Sequence, residues 1–99
     1  MLMRVLTMRI QPGRLEDWKR FTKETGFPGM LAQPGCNKIW RMRRRGAGDN
    51  EYQVVTLWDS IDDLERFKSS MAAKELSAKA APLTIPPHGE ALYETVPDL

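Results

Sequence analysis

VVTLWDSIDDLERFKSS, Val54 to Ser70, reads as a strand that stops abruptly and becomes a helix, with Trp58 at the join. The run Val54-Val55-Thr56-Leu57-Trp58 is β-branched and aromatic, as strands favour. Ser60 then suits a helix N-cap, its hydroxyl accepting from the amide of Asp63. Asp62, Asp63 and Glu65 complement the positive end of that helix. Ile61, Leu64, Phe67 and Met71 recur at helical spacing and predict its buried stripe. A break is expected at Ser69-Ser70, then helix from Met71 to Ala81, where Pro82 stops it.

Outward from this junction, Glu51 to Trp58 is the whole strand, and Cys36 to Arg45 is its antiparallel partner. Gly46 to Asn50 forms the hairpin turn, since Gly, Asp and Asn tolerate positive φ. Upstream, Met3 to Ile10 alternates, with Leu6, Met8 and Ile10 on one face and Met3, Val5 and Thr7 on the other. Gln11-Pro12-Gly13 ends that strand. Arg14 to Thr25 is a helix with Leu15, Trp18, Phe21 and Thr22 in one stripe, and Gly26 is its expected C-terminal cap. Phe27 to Gly35 is a Pro- and Gly-rich loop with room for one helical turn. Leu83 to Pro87 is extended, His88 or Gly89 to Val96 is the last strand, and Pro97 to Leu99 is a tail.

The order β-α-β-β-α-β predicts an α+β, ferredoxin-like domain over residues 1–99, a four-stranded antiparallel sheet with helices on one face. A sheet with one wet face should alternate cleanly. Here Tyr52, Val54 and Trp58 point one way and Val55 and Leu57 the other, and Leu92 and Val96 oppose Ala91 and Tyr93. Two apolar faces and helices for only one call for a second copy on the helix-free face, giving a homodimer of face-to-face sheets.

Composition narrows the function classes. With 99 residues, 41% hydrophobic and 28% charged, the chain suits one globular domain. Fifteen basic residues nearly balance thirteen acidic ones, so no broad positive field invites nucleic acid. The single cysteine, Cys36, permits no disulfide within the chain and suits a reducing cytoplasm, the expected location. No apolar run approaches the ~20 residues of a membrane span, and MLMRVLTMRI lacks a signal-peptide core.

Beyond the Val54–Phe67 junction, "GRLEDWKRF" (Gly13 to Phe21) and "PGCNKIW" (Pro34 to Trp40) complete a pattern that resembles the antibiotic biosynthesis monooxygenase-like domains of the dimeric α/β-barrel proteins. The resemblance covers nearly the whole chain. Its haem-degrading members imply an Asn in the first strand, a Trp in the second helix and a His further along it. Here the first strand has no Asn, Phe67 stands at the Trp position, and no His lies between Ser60 and Ala81, so haem degradation is not expected. The cofactor-independent members oxidise electron-rich aromatics such as anthrones and phenols, and imply no cofactor.

Such chemistry needs an apolar pocket, a base, and a cation to hold the substrate anion. Trp40, Tyr52 and Trp58 are the expected walls between sheet and helices, Arg41 or Arg43 the anion holder, and His88, the lone histidine, the base. Trp58 has a structural reading beside this one, as a plug where strand meets helix. His88, after Pro86-Pro87, also reads as an exposed loop residue. Arg41 to Arg45 reads as a solvated hairpin arm in preference to a phosphate site. Cys36 reads as a small buried residue, one Cys and one His make no metal set, and Met30 and Leu31 suit a pocket mouth. The competing function is non-catalytic: a dimeric small-ligand-binding or stress-associated protein of the same fold.

In sedimentation at micromolar concentration the chain should run at twice its 11.3 kDa mass; a stable, well-folded monomer would refute the face-to-face assembly.

Overall fold

The computed structural model describes residues 1–98. Strand β1 (Leu2–Ile10) is followed by helix α1 (Leu15–Phe21), a π-turn (Thr22–Gly26) and helix α2 (Phe27–Leu31). Then come β2 (Cys36–Met42), β3 (Glu51–Trp58), α3 (Ile61–Lys68), α4 (Met71–Ala80), a 3-10 turn (Ala81–Leu83) and β4 (Thr84–Glu94). The four strands form one antiparallel sheet in the order β2-β3-β1-β4, the ferredoxin-like arrangement.

β1 lies inside the sheet, and its register sets both faces. Val5 sits between Val55 and Ala91, and Met3 between Leu57 and Tyr93. Trp40 extends the first of these rows through Val55. Cross-strand partners share a face, so Met3, Val5, Trp40, Val55, Leu57 and Tyr93 lie on the helix-free side. Leu2, Leu6, Met8 and Ile10 face the helices, as the period-two alternation predicts.

The helix side holds two buried clusters. One joins Leu2, Cys36, Trp58, Leu64 and Phe67; the other joins Met8, Ile10, Trp18, Val54 and Leu83. Trp58 answers the question its position raises. It is fully buried, stacks on Phe67 at 5.5 Å and 28°, and donates its indole N–H to Thr56 Oγ1 at 2.8 Å. The strand thus ends in a side chain that fills the gap under α3 and leaves no polar atom unpaired. Ser60 caps α3 as expected, accepting from the Asp63 amide at 3.2 Å. Gly35, at φ +85°, packs against Asp63 so closely that a Cβ there would overlap the carboxylate.

Several boundaries differ from the sequence expectation. Gly26 does not end the first helix; its φ is −64°, and helix continues to Leu31. The π-turn resets the hydrogen bonding just before Pro28, with the Phe27 amide reaching back to Thr22 O. A proline can then start α2 without meeting an occupied carbonyl. β2 stops at Met42 and not at Arg45, because side chains replace the ladder: the Arg44 amide donates to Gln53 Oε1 at 2.9 Å, and Arg43 Nη2 donates to Gly48 O at 2.8 Å. β4 already begins at Thr84, so Pro86 and Pro87 lie within it. It is an edge strand, where missing N–H groups are tolerated. It ends at Glu94, short of Val96, and Leu99, the last residue of the expected tail, lies outside the described residues. Of the α3 stripe, Leu64 and Phe67 are buried, but Ile61 and Met71 are 44% and 67% exposed. Ser70 caps α4 as a new helix, and Ala73 and Leu76 turn inward in place of Met71.

Truncation of Trp58 to Ala should cost about 3–5 kcal/mol in denaturant unfolding. Thr56→Val, which leaves the indole N–H without its acceptor, should cost about 1–3 kcal/mol; a neutral Thr56→Val would show that the bond contributes nothing.

Candidate functional site

Between the sheet and the helices lies a cavity of about 350 Å³. Leu6, Met8 and Val54 form its floor. Trp18, Phe21 and Phe27 wall one side; Phe67, Ala73 and Leu76 wall the other. The π-turn contributes Thr22 and Gly26, and Met30 contributes from α2. The lining is mainly apolar, and the volume suits a small organic molecule.

Its polar groups are few and come chiefly from the β4 side. Arg4, on β1, breaks the apolar inward row Leu2, Leu6, Met8, Ile10. Its Nε donates to Glu90 Oε2 at 2.7 Å, and its side chain is only 13% exposed. Lys68, at the end of α3, donates to the same carboxylate at 3.1 and 3.3 Å. Glu90 therefore ties the edge strand to both the central strand and the helix. Partial burial opposes its ionisation, but the hydrogen bonds and charges of Lys68 and Arg4 outweigh that and hold its carboxyl below the usual range. His88 also lines the cavity. It owes its place to a register step in which β4 pairs Gly89 with Thr7 but Ile85 with Arg9, so that Pro86, Pro87 and His88 stand against Met8 alone.

The sequence-predicted residues do not all converge. His88 reaches the cavity, and Met30 lines it, whereas Leu31 is outside and 45% exposed. Arg41 does not line it: Nη1 donates to Lys19 O at 3.3 Å and the guanidinium lies 5.8 Å from the Phe27 ring. Arg41 thus clips the β2 edge to the helix layer. Trp40 cannot wall the same space, because it stands on the helix-free face with Val55. Adjacent strand residues point to opposite sides, so Trp40 and Arg41 never could share one pocket. Tyr52 is on the helix side but packs on Trp18, at 5.4 Å and 43°, outside the lining. Trp58 is sealed in the core, in accord with the plug reading.

The arginine run is locally engaged: Arg43 holds the carbonyls of Ala47 and Gly48, and Arg44 pairs with Glu51 at 3.3 Å. Cys36 is buried, and burial pushes its thiol pKa up, away from nucleophilic use. Sequence reading missed Arg4, Lys68 and Glu90. Arg4 was detectable as the one charge in an otherwise apolar series at period two; Lys68 and Glu90 acquire meaning only from their contact with it.

The sequence profile of the antibiotic biosynthesis monooxygenase family matches residues 1–79. The chain belongs to that family. Solved structures extend the likeness over almost the full chain. A candidate antibiotic biosynthesis monooxygenase from Bordetella bronchiseptica superposes with a TM-score of 0.84 at 20% identity, over 96% of each chain. Another candidate, from Caulobacter crescentus CB15, gives 0.80 at 19% identity, over 96% of this chain and 89% of that one. SnoaB, a cofactor-independent oxygenase from Streptomyces nogalater, gives 0.74 at 18% identity, over 98% and 97%. No curated protein matches the sequence. At these identities the superpositions establish the fold, which includes β4 beyond the matched residues. Among the described residues, no helix is long and apolar enough to cross a membrane.

The lowered pKa of Glu90 gives a pH signature. Its ion pairs stabilise the fold above the ~4.3 of an unfolded glutamate and are lost as pH falls through the lower folded-state value. The stability gap between wild type and Glu90→Gln should therefore be widest above the unfolded glutamate value and shrink as pH falls below it; a gap independent of pH in urea titrations would contradict the ion-pair geometry.

Proposed function

We propose that this chain is a cofactor-independent monooxygenase acting on a small electron-rich aromatic molecule bound in the cavity between sheet and helices. The observation that carries this reading is the combination, in one site, of an apolar cavity of about 350 Å³, a lone imidazole and a cationic cluster at one side. His88, the one imidazole lining the cavity, takes a proton from the substrate's acidic C–H or O–H. Arg4 and Lys68 favour the resulting anion by their charge. The electron-rich anion reduces dioxygen directly and forms a C–O bond. For an anthrone-type methylene, one oxygen atom stays as the new carbonyl. The other leaves as water with the two displaced hydrogens, so no external reductant is consumed. The name of SnoaB, a cofactor-independent oxygenase of the same fold, supports this reaction class.

The same reading assigns the helix-free face to a second copy of the chain. Val5, Val55, Trp40 and Leu57 are apolar there, and every helix is committed to the other side. A non-catalytic binding role is favoured by one feature: Glu90, the carboxylate at the cavity's cationic end, is held by two cations and is a poor base.

Oxygen uptake with a panel of anthrones, quinols and catechols decides between the two. Uptake without added cofactor is expected, falling about 10²-fold or more in kcat for His88→Ala. Tight binding with no uptake across the panel would favour the binding role, and unchanged kcat in His88→Ala would remove His88 as the base.

A further inference from the structure

The Arg4, Glu90 and Lys68 cluster carries more than a clamp between strands and helix requires. One cation per carboxylate is enough to tie β4 down. Here two cations share a single carboxylate, so the cluster keeps one positive charge beside an apolar cavity. Arg4 is also underused. A guanidinium has five N–H donors in a planar fork, yet the only hydrogen bond of this one among the described residues runs from Nε to Glu90. No buried side-chain nitrogen among the described residues lacks a partner, so the terminal nitrogens are not sealed in the core. Arg4 lines the cavity, and its side chain is 13% exposed. Its unused donors are therefore reachable, on a side chain that lines the cavity.

A charge on the inward row of a central strand is costly unless something compensates it. Glu90 compensates part; the remaining charge and the free fork suit an oxyanion, bound in two-pronged fashion. We propose that the cavity takes its aromatic ligand as a monoanion, an aryl carboxylate whose two oxygen atoms sit on the terminal nitrogens of Arg4 beside Lys68, with the ring on the apolar floor of Leu6, Met8 and Val54. This inference rests on the cavity being the substrate site and narrows the substrate class: the ligand is selected for a charge it brings with it. Lys68, on its flexible stem, follows the anion without fixing its geometry, whereas Arg4 orients it.

The test uses two probes of nearly the same shape, 2-naphthoate and its neutral isostere 2-naphthamide, titrated calorimetrically into the whole protein at pH 7. Naphthoate should bind about tenfold more tightly or better, as expected for a charge-assisted pair in a partly desolvated site. Arg4→Met should abolish the preference while leaving naphthamide affinity within about twofold. Glu90→Gln, which removes the competing carboxylate, should tighten naphthoate several-fold and leave naphthamide unchanged; a purely structural clamp would not give that gain. Equal affinity for the two probes in wild type overturns the inference, as does a preference that survives in folded Arg4→Met. Should Arg4→Met fail to fold, the absence of tightening in Glu90→Gln overturns it alone. Binding of neither probe removes the cavity as the ligand site and the inference with it. Preferential binding of naphthoate, with no oxygen uptake from any aromatic substrate, upholds the anion site and sinks only the oxygenase reading.

Discussion

The burial of Trp58 at the end of β3 is the constraint on which the rest of the molecule depends. Its indole closes one end of the helix layer by stacking on Phe67, beside Leu2, Cys36 and Leu64. A second cluster around Trp18, Ile10 and Leu83 closes the other end. The cavity draws its lining from both clusters, Phe67 and Met30 from the first and Trp18, Met8 and Val54 from the second. Rigid aromatic packing on either side therefore holds the helices off the sheet between them. Close-packed interiors rarely keep such space unless the surrounding side chains cannot collapse into it, and large stacked rings resist collapse.

Electrostatics then give this space a direction. Most of the lining is apolar, while Arg4, Lys68 and His88 bring polar groups to it and Glu90, outside the lining, holds the first two. The edge strand makes this arrangement possible. Its register step inserts extra residues opposite Met8, and His88 is the last of them before regular pairing resumes at Gly89. A central strand, hydrogen-bonded on both sides, could not accommodate Pro86 and Pro87 or such a step at comparable cost.

Much of the fold was legible because it rests on short-range rules. Alternation in β1 and β3, the Ser60 cap and the break before Met71 all follow from neighbouring residues. The departures share a cause: contacts distant in sequence. Gly26 was read as a stop, yet the helix passes through it by way of a wider turn and closes over the cavity. Arg43 and Arg44 read as strand, but the Arg43 guanidinium donates to the Gly48 carbonyl and the Arg44 backbone amide donates to the Gln53 side chain, which ends the ladder early. The candidate site was less legible. His88 stands out as the only histidine and lines the cavity, whereas Trp58, expected as a wall, is sealed in the core. Trp40 was placed on the wrong side. β2 carries an irregularity between Cys36 and Lys38, so Cys36 faces the helices while Lys38 and Trp40 face away from them.

From its residues alone this chain determines the element order, the two-sided apolar character of its sheet and membership of a fold family, because periodicity, capping and turn chemistry act over a few residues at a time. Only the tertiary structure decides which face each aromatic serves and which charges meet. Arg4, Lys68 and Glu90 lie up to 86 positions apart in the chain. Strand register and helix docking bring them together, and neither can be read from local pattern, since a one-residue bulge exchanges the faces of every residue that follows it.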